Sequence, residues 1–131
     1  MQAFNENEVE GLDGLRVLVV EDDADTRDLV ADLLGRRNGT IATAANAAEA
    51  LTLLETFHPD VIVSDIQMPE CDGYQLMRMV RLRAPTAAVA LTGKSDAVEA
   101  DALLAGFAAH IAKPFETAKL VSTIRRVAIA S

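Results

Sequence analysis

The sequence predicts an open, doubly wound α/β fold, a five-stranded parallel sheet with helices on both faces. Three observations carry that prediction. Short β-branched or apolar runs alternate along the chain with longer segments of helical period. The connections between them are short, so each right-handed crossover must lay a helix on the sheet. The strands number five, whereas a closed α/β barrel needs eight.

Arg16 to Val20 (RVLVV) reads as a buried first strand. Behind it Leu29, Val30, Leu33 and Leu34 recur at helical spacing until Gly35 and Gly39 end the segment. Thr40 to Ala45 is a weaker strand. Asn46 with Glu49 three residues on is a helix start of the capping-box kind; Ala47, Leu51 and Leu54 form one apolar face and His58-Pro59-Asp60 stops it. Val61 to Ser64 is the third strand, followed by a helix that carries Leu76, Met77 and Val80. Ala87 to Leu91 is the fourth strand and Asp96 to Ala105 a helix closed by Gly106. Ala108 to Ala112 is the fifth strand and Thr117 to Ala128 the fifth helix, with Leu120, Ile124 and Val127 inward.

The 131 residues, 50% hydrophobic and 24% charged, suit one domain that buries a core without disulfides or structural metal. The single cysteine, Cys71, closes no intramolecular bridge and offers no zinc spacing, which suits a reducing, cytoplasmic setting. Its neighbours Glu70 and Asp72 disfavour a thiolate, so it reads as an unreactive loop thiol. Apolar runs are short and the first twenty residues carry Glu6, Glu8, Glu10 and Asp13, so neither a membrane span nor a signal peptide is expected. A net charge of −8 repels phosphate backbones and anionic lipid, which argues against direct nucleic-acid and membrane binding. Residues 1–14 are expected to form a disordered acidic arm and residues 15–131 the domain.

In open α/β sheets ligands bind at the carboxyl ends of the strands, where strand order reverses. Here the first strand runs into Glu21, Asp22 and Asp23, the third into Asp65, the fourth into Thr92 and the fifth into Lys113. Asp23 and Asp25 read as helix-capping acids. Asp65 is followed by Ile66-Gln67-Met68-Pro69, which is no helix start. Carboxylates gathered in one crevice repel unless a cation joins them. Oxygen ligands with open positions suit Mg²⁺, which keeps waters and accepts phosphate oxygens. Metal-assisted phosphoryl chemistry is the economical reading.

The segment Asp65-Ile66-Gln67-Met68-Pro69-Glu70-Cys71-Asp72-Gly73 resembles the phospho-acceptor signature of two-component receiver domains. Glu21-Asp22, Thr92-Gly93 and Lys113-Pro114-Phe115 stand at the family's other positions in the right order. The resemblance covers residues 14 to 128 and implies the flavodoxin-like strand order 2-1-3-4-5. It implies a response regulator, a signalling phospho-acceptor that is not an enzyme but catalyses its own Mg²⁺- or Mn²⁺-dependent phosphorylation and slow dephosphorylation. Asp65 would be the nucleophile toward the phosphohistidine of a sensor histidine kinase or phosphotransfer protein. Asp22 and Asp65 would hold the metal directly, Glu21 through water and Gln67 through its backbone carbonyl. Lys113 and the Thr92 hydroxyl would hold the phosphoryl oxygens with N–H groups near Ile66 and Gly93.

The resemblance further implies that Gln67 and Lys94 tune dephosphorylation, that the Lys113-Pro114 bond is cis, and that Thr92 and His110 form the switch. His110 stands where most receivers carry Tyr or Phe. Output would pass by protein–protein contact through residues 96–128 to a downstream target, with a phosphorylation-dependent homodimer as one form of that contact.

Other readings fit less well. A flavodoxin-like FMN protein needs a Ser/Thr/Gly-rich loop where Glu21-Asp22-Asp23 stands. An aspartyl phosphatase would show a second Asp where Gln67 stands. A pseudo-receiver that binds partners without phosphorylation would be expected to have lost part of the acidic site. Met1 and the N-terminal arm, which does not look like an added tag, favour a stand-alone regulator over a receiver from the C-terminus of a hybrid histidine kinase, which the Gly106 to Pro114 stretch also resembles.

Overall fold

The computed structural model describes residues 11–66, 68, 72–93 and 106–130. Along them run β1 (Arg16–Val20), α1 (Ala24–Gly35), β2 (Thr40–Ala44), α2 (Ala47–Thr56), β3 (Val61–Asp65), α3 (Gly73–Arg81), β4 (Ala87–Thr92), β5 (Ala109–Ala112) and α4 (Thr117–Ala130). The helix expected over Asp96–Ala105 lies outside the described residues, as do Gln67, Cys71 and Lys94. Four helices therefore stand among the described residues where five were expected, and the expected fifth helix is α4.

All five strands pair in parallel in one sheet, in the order β2-β1-β3-β4-β5. Because side chains alternate across a strand, each strand feeds both faces, and this is why the strands read as continuous apolar runs. Val17, Val19, Val61, Val63, Val89 and Leu91 pack with α1 and α4 on one side. Leu18, Val20, Ile62, Ala88 and Ala90 pack with α2 and α3 on the other. The order reverses between β1 and β3, and the last residue of β1, Val20, lies opposite Ser64, one residue before the end of β3.

Local chemistry sets the helix starts. Asp23 caps α1 by accepting from the Thr26 N–H at 2.9 Å, and Asp72 caps α3 in a capping box with Gln75. Asn46 caps α2 by accepting from the Glu49 N–H, but the Glu49 carboxylate returns to the N–H of Ala45, one residue earlier than a capping box requires. Phe57 ends α2, and His58 then turns the chain with a φ of 54°.

The domain begins earlier than composition suggested. Leu12, placed in the acidic arm, is fully buried in the α1/α4 core. Its N–H donates to Arg37 O at 2.6 Å, and Arg125 donates to Gly11 O at 2.8 Å. One apolar side chain, one backbone bond and one bond from the Arg125 side chain thus bring Gly11 to Gly14 into the packed domain.

Candidate functional site

The functional side chains project from the last residues of strands or from the one or two residues just beyond. β3 includes Asp65, whose Cα pairs with Leu91, and β4 includes Thr92, which pairs with Ala112. Backbone bonds carry the sheet one step further: Ile66 N–H donates to Leu91 O at 3.2 Å and Lys113 N–H to Thr92 O at 2.8 Å. Ser64 Oγ donates to Asp65 O at 2.9 Å. Behind Asp65, Gly73 N–H donates to Ile66 O at 2.8 Å, and a Cβ on Gly73 would come within 2.7 Å of Asp65 O. Glycine is what lets α3 start directly against the acidic residue.

At the end of β1, Glu21 is 1% exposed and donates its N–H to Ala44 O of β2. Glu21, Asp22 and Asp65 each bring a carboxylate oxygen into a group no wider than 4.8 Å. Asp22 faces solvent and Asp65 is buried. Lys113 reaches into the same group. Its Nζ lies 3.0 Å from Glu21 Oε1 and 3.4 Å from Asp65 Oδ2, and the Lys113-Pro114 bond is cis. The ammonium lies within reach of Asp65, but its nearer partner is Glu21.

The electrostatics follow from this crowding. Partial burial, a hydrogen bond with Glu21 and the charges of Glu21 and Asp23 raise the Asp22 pKa above the ordinary carboxylate value, against a backbone hydrogen bond that lowers it. Burial alone would lower the Lys113 pKa, but the Glu21 hydrogen bond and the Asp65 and Glu21 charges outweigh it and raise the pKa. Asp23 is held low by the hydroxyl and N–H of Thr26, as befits a cap.

The structure thus brings together Glu21, Asp22, Asp65 and Lys113. Thr92 is buried at the end of β4, with Oγ1 directed at Ile111 O at 3.5 Å. His110 is half-buried on β5 opposite Ala90. The N–H groups assigned by resemblance to phosphoryl oxygens lie near Ile66 and Gly93; the N–H of Ile66 itself donates to Leu91 O. Sequence reasoning missed Arg27, whose Nη1 donates to Glu21 O at 2.9 Å. A lone arginine in a helix carries no pattern that would have marked it.

The donor set is all oxygen and anionic, with one oxygen of each carboxylate close enough to share one small ion. It fits a hard divalent cation such as Mg²⁺ and offers nothing to a soft one.

A parallel sheet of this order with an acidic cluster at its switch point defines an aspartate-bearing, receiver-type α/β domain. The profile of the response regulator receiver domain matches residues 17–125, and the chain belongs to that family. A protein of Leptolyngbya boryana, named as an uncharacterized 14.6 kDa protein in the sodA1 3′ region, is 38% identical over 119 residues, 87% of this chain and 90% of that one. The response regulator protein FleR of Pseudomonas aeruginosa is 35% identical over 118 residues, 87% of this chain but 24% of FleR. Among solved structures, the receiver domain of NtrX from Brucella abortus is 28% identical with a TM-score of 0.82, covering 88% of this chain and 99% of that one. The Francisella response regulator 1452 receiver domain reaches a TM-score of 0.83 at 26% identity, covering 89% and 98%. The chain spans only 24% to 49% of longer relatives such as FleR and the DNA-binding response regulator MtrA of Mycolicibacterium paratuberculosis. No helix among the described residues is long and apolar enough to cross a membrane.

Proposed function

We propose that this receiver works in the cytoplasm, accepts a phosphoryl group on Asp65 from the phosphohistidine of a sensor histidine kinase or phosphotransfer protein, and passes the signal on by protein contact. The observation that carries the reading is the Lys113 ammonium set between Glu21 and Asp65, at 3.0 and 3.4 Å, in the group that Asp22 completes. In the transfer an Asp65 oxygen forms a bond to phosphorus as the bond from phosphorus to the donor's imidazole nitrogen breaks, and the electron pair leaves with that nitrogen. Mg²⁺ or Mn²⁺, held by Glu21, Asp22, Asp65 and the Gln67 carbonyl, would supply charge neutralisation for phosphoryl oxygens and orient them in line. Lys113 would neutralise phosphoryl oxygens at Asp65, and the Thr92 hydroxyl would donate to one of them. β3 holds Asp65 at a fixed depth, so positioning needs little further ordering.

Gln67 and Lys94 would set how fast water reaches the acyl phosphate. His110 would couple Thr92 to the surface of residues 96–128, where a downstream protein or a second phosphorylated copy binds. The experiment is labelling with a small acyl phosphate. Acid-labile phosphate should appear in the wild type only with a divalent cation and be absent in Asp65→Asn. Labelling of Asp65→Asn at the wild-type level would move the acceptor elsewhere. A wild type that binds Mg²⁺ but takes no phosphate from acyl phosphates or phosphohistidine would indicate a module that works unphosphorylated.

A further inference from the structure

Three carboxylates converge within 4.8 Å, and the turn Glu21-Asp22-Asp23 supplies two of them from consecutive residues. Such a turn must be held against the repulsion of its own side chains. All three of its backbone carbonyls accept from one residue. Arg27 Nη1 donates to Glu21 O at 2.9 Å and reaches Asp22 O at 3.5 Å, and the Arg27 backbone N–H donates to Asp23 O at 2.9 Å. The last bond is the first turn of α1 and any residue could make it. The first two need a long cationic side chain that returns along the helix start to the end of β1. A guanidinium suits this, being planar, always charged and equipped with several donors in fixed directions. Because these bonds go to carbonyls, Arg27 supports the turn without occupying the carboxylate oxygens of Glu21 and Asp22 that a cation would need.

We infer that Arg27 is a positioning residue for divalent-cation binding: by gripping the carbonyls of Glu21 and Asp22 it holds their carboxylates in the orientation that converges on Asp65. This rests on the reading of the site as a divalent-cation site. The test is calorimetric titration of the full chain with Mg²⁺, for wild type, Arg27→Lys and Arg27→Gln, with thermal unfolding in EDTA run alongside. Arg27→Gln should bind Mg²⁺ about tenfold more weakly, near the low end of what loss of a supporting partner costs a metal site. Arg27→Lys, with one ammonium in place of the fork, should fall between it and the wild type. Acyl-phosphate labelling of both variants should approach the wild-type level once Mg²⁺ is saturating, which a general loss of structure would not allow. Wild-type Mg²⁺ affinity in Arg27→Gln overturns the inference. If Arg27→Gln fails to fold, wild-type affinity in Arg27→Lys overturns it. A wild type that binds no Mg²⁺ is a different failure: the functional reading falls and takes the inference with it.

Discussion

Replacing Asp22 by Asn should make the metal-free protein more stable and leave it less stable than the wild type once Mg²⁺ is added. The Asp22 carboxylate lies in a group no wider than 4.8 Å with those of Glu21 and Asp65. Two unit charges at that separation repel by about 1 kcal/mol in water and by about twice that at half the dielectric constant. Asp22 faces solvent, so the lower figure applies to each neighbour; screening by salt and attraction to Lys113 reduce the sum to about 1 kcal/mol. The direction agrees with the raised Asp22 pKa, caused first by burial and then by Glu21 and Asp23. An acid whose folded-state pKa lies above its unfolded value opposes folding at neutral pH, and that opposition fades as pH falls through the carboxylate range. Urea denaturation in EDTA near pH 7 should therefore show Asp22→Asn about 1 kcal/mol more stable, worth about 3–5 °C in Tm at this size. The difference should close by about pH 3, where carboxylates are largely protonated. Mg²⁺ at a hundred times its Kd should then add about 2.7 kcal/mol to the wild type and much less to the variant, which inverts the order. A metal-free Asp22→Asn no more stable than wild type, or an equal gain from Mg²⁺ in both, would refute the reasoning.

Three further outcomes follow from single contacts. Lys113→Met leaves Glu21 and Asp65, with side chains 2% and 12% exposed, without their ammonium. It should cost about 1–3 kcal/mol near pH 7 by urea denaturation, less than breaking a fully buried pair because Lys113 is partly solvated. Since the Lys113 pKa is raised, its contribution is lost as pH climbs through the lysine range, so the gap to wild type should narrow there. The same variant should bind Mg²⁺ more tightly while acyl-phosphate labelling falls. Gly73→Ala sets a Cβ 2.7 Å from Asp65 O and 2.9 Å from Ile66 Cα, a backbone clash that should cost about 1–3 kcal/mol in denaturation and slow labelling by displacing Asp65. Leu12→Ala should cost about 2–4 kcal/mol, as for a core leucine; a loss near zero would return residues 11–14 to the arm.

Much of this was legible in the sequence, for identifiable reasons. The strand order was read from the resemblance, and the alternation of β1, β3 and β4 with helical segments is plain because strands covered on both faces need continuous apolar runs. The site was legible because Glu21, Asp22, Asp65 and Lys113 are charges placed directly after such runs. Strand ends were less so: β3 and β4 each run one residue further, into Asp65 and Thr92, since ladder bonds do not distinguish polar from apolar side chains. Leu12 was misplaced because a single leucine between Gly11 and Asp13 has no period. The capping partner of Glu49 was off by one residue because its carboxylate accepts from the Ala45 N–H and from the Asn46 side-chain amide, a choice that residue spacing does not determine. Arg27 was invisible because nothing in a helix of mixed charge says which arginine folds back onto the strand before it.

The charge balance explains why these features belong together. Among the described residues three carboxylates face one ammonium, a formal excess of two negative charges, and one of the acids, Glu21, is almost wholly removed from water. A buried carboxylate is costly unless paired and hydrogen-bonded. Lys113 at 3.0 Å supplies the pair, and the Arg27 grip on the preceding backbone opposes the relaxation that repulsion would otherwise drive. The residue that binds phosphoryl oxygens in the proposed transfer is thus the one that makes the metal-free fold tolerable, and it cannot serve Glu21 and an incoming phosphoryl group equally well. A divalent cation would cancel the two remaining charges and release Lys113 from Glu21 toward Asp65. The proposed phosphoryl transfer would then add about one negative charge at neutral pH, at oxygens that Lys113 would be free to meet. This is why Lys113→Met should separate the two properties, with tighter metal binding and poorer phosphorylation in one variant.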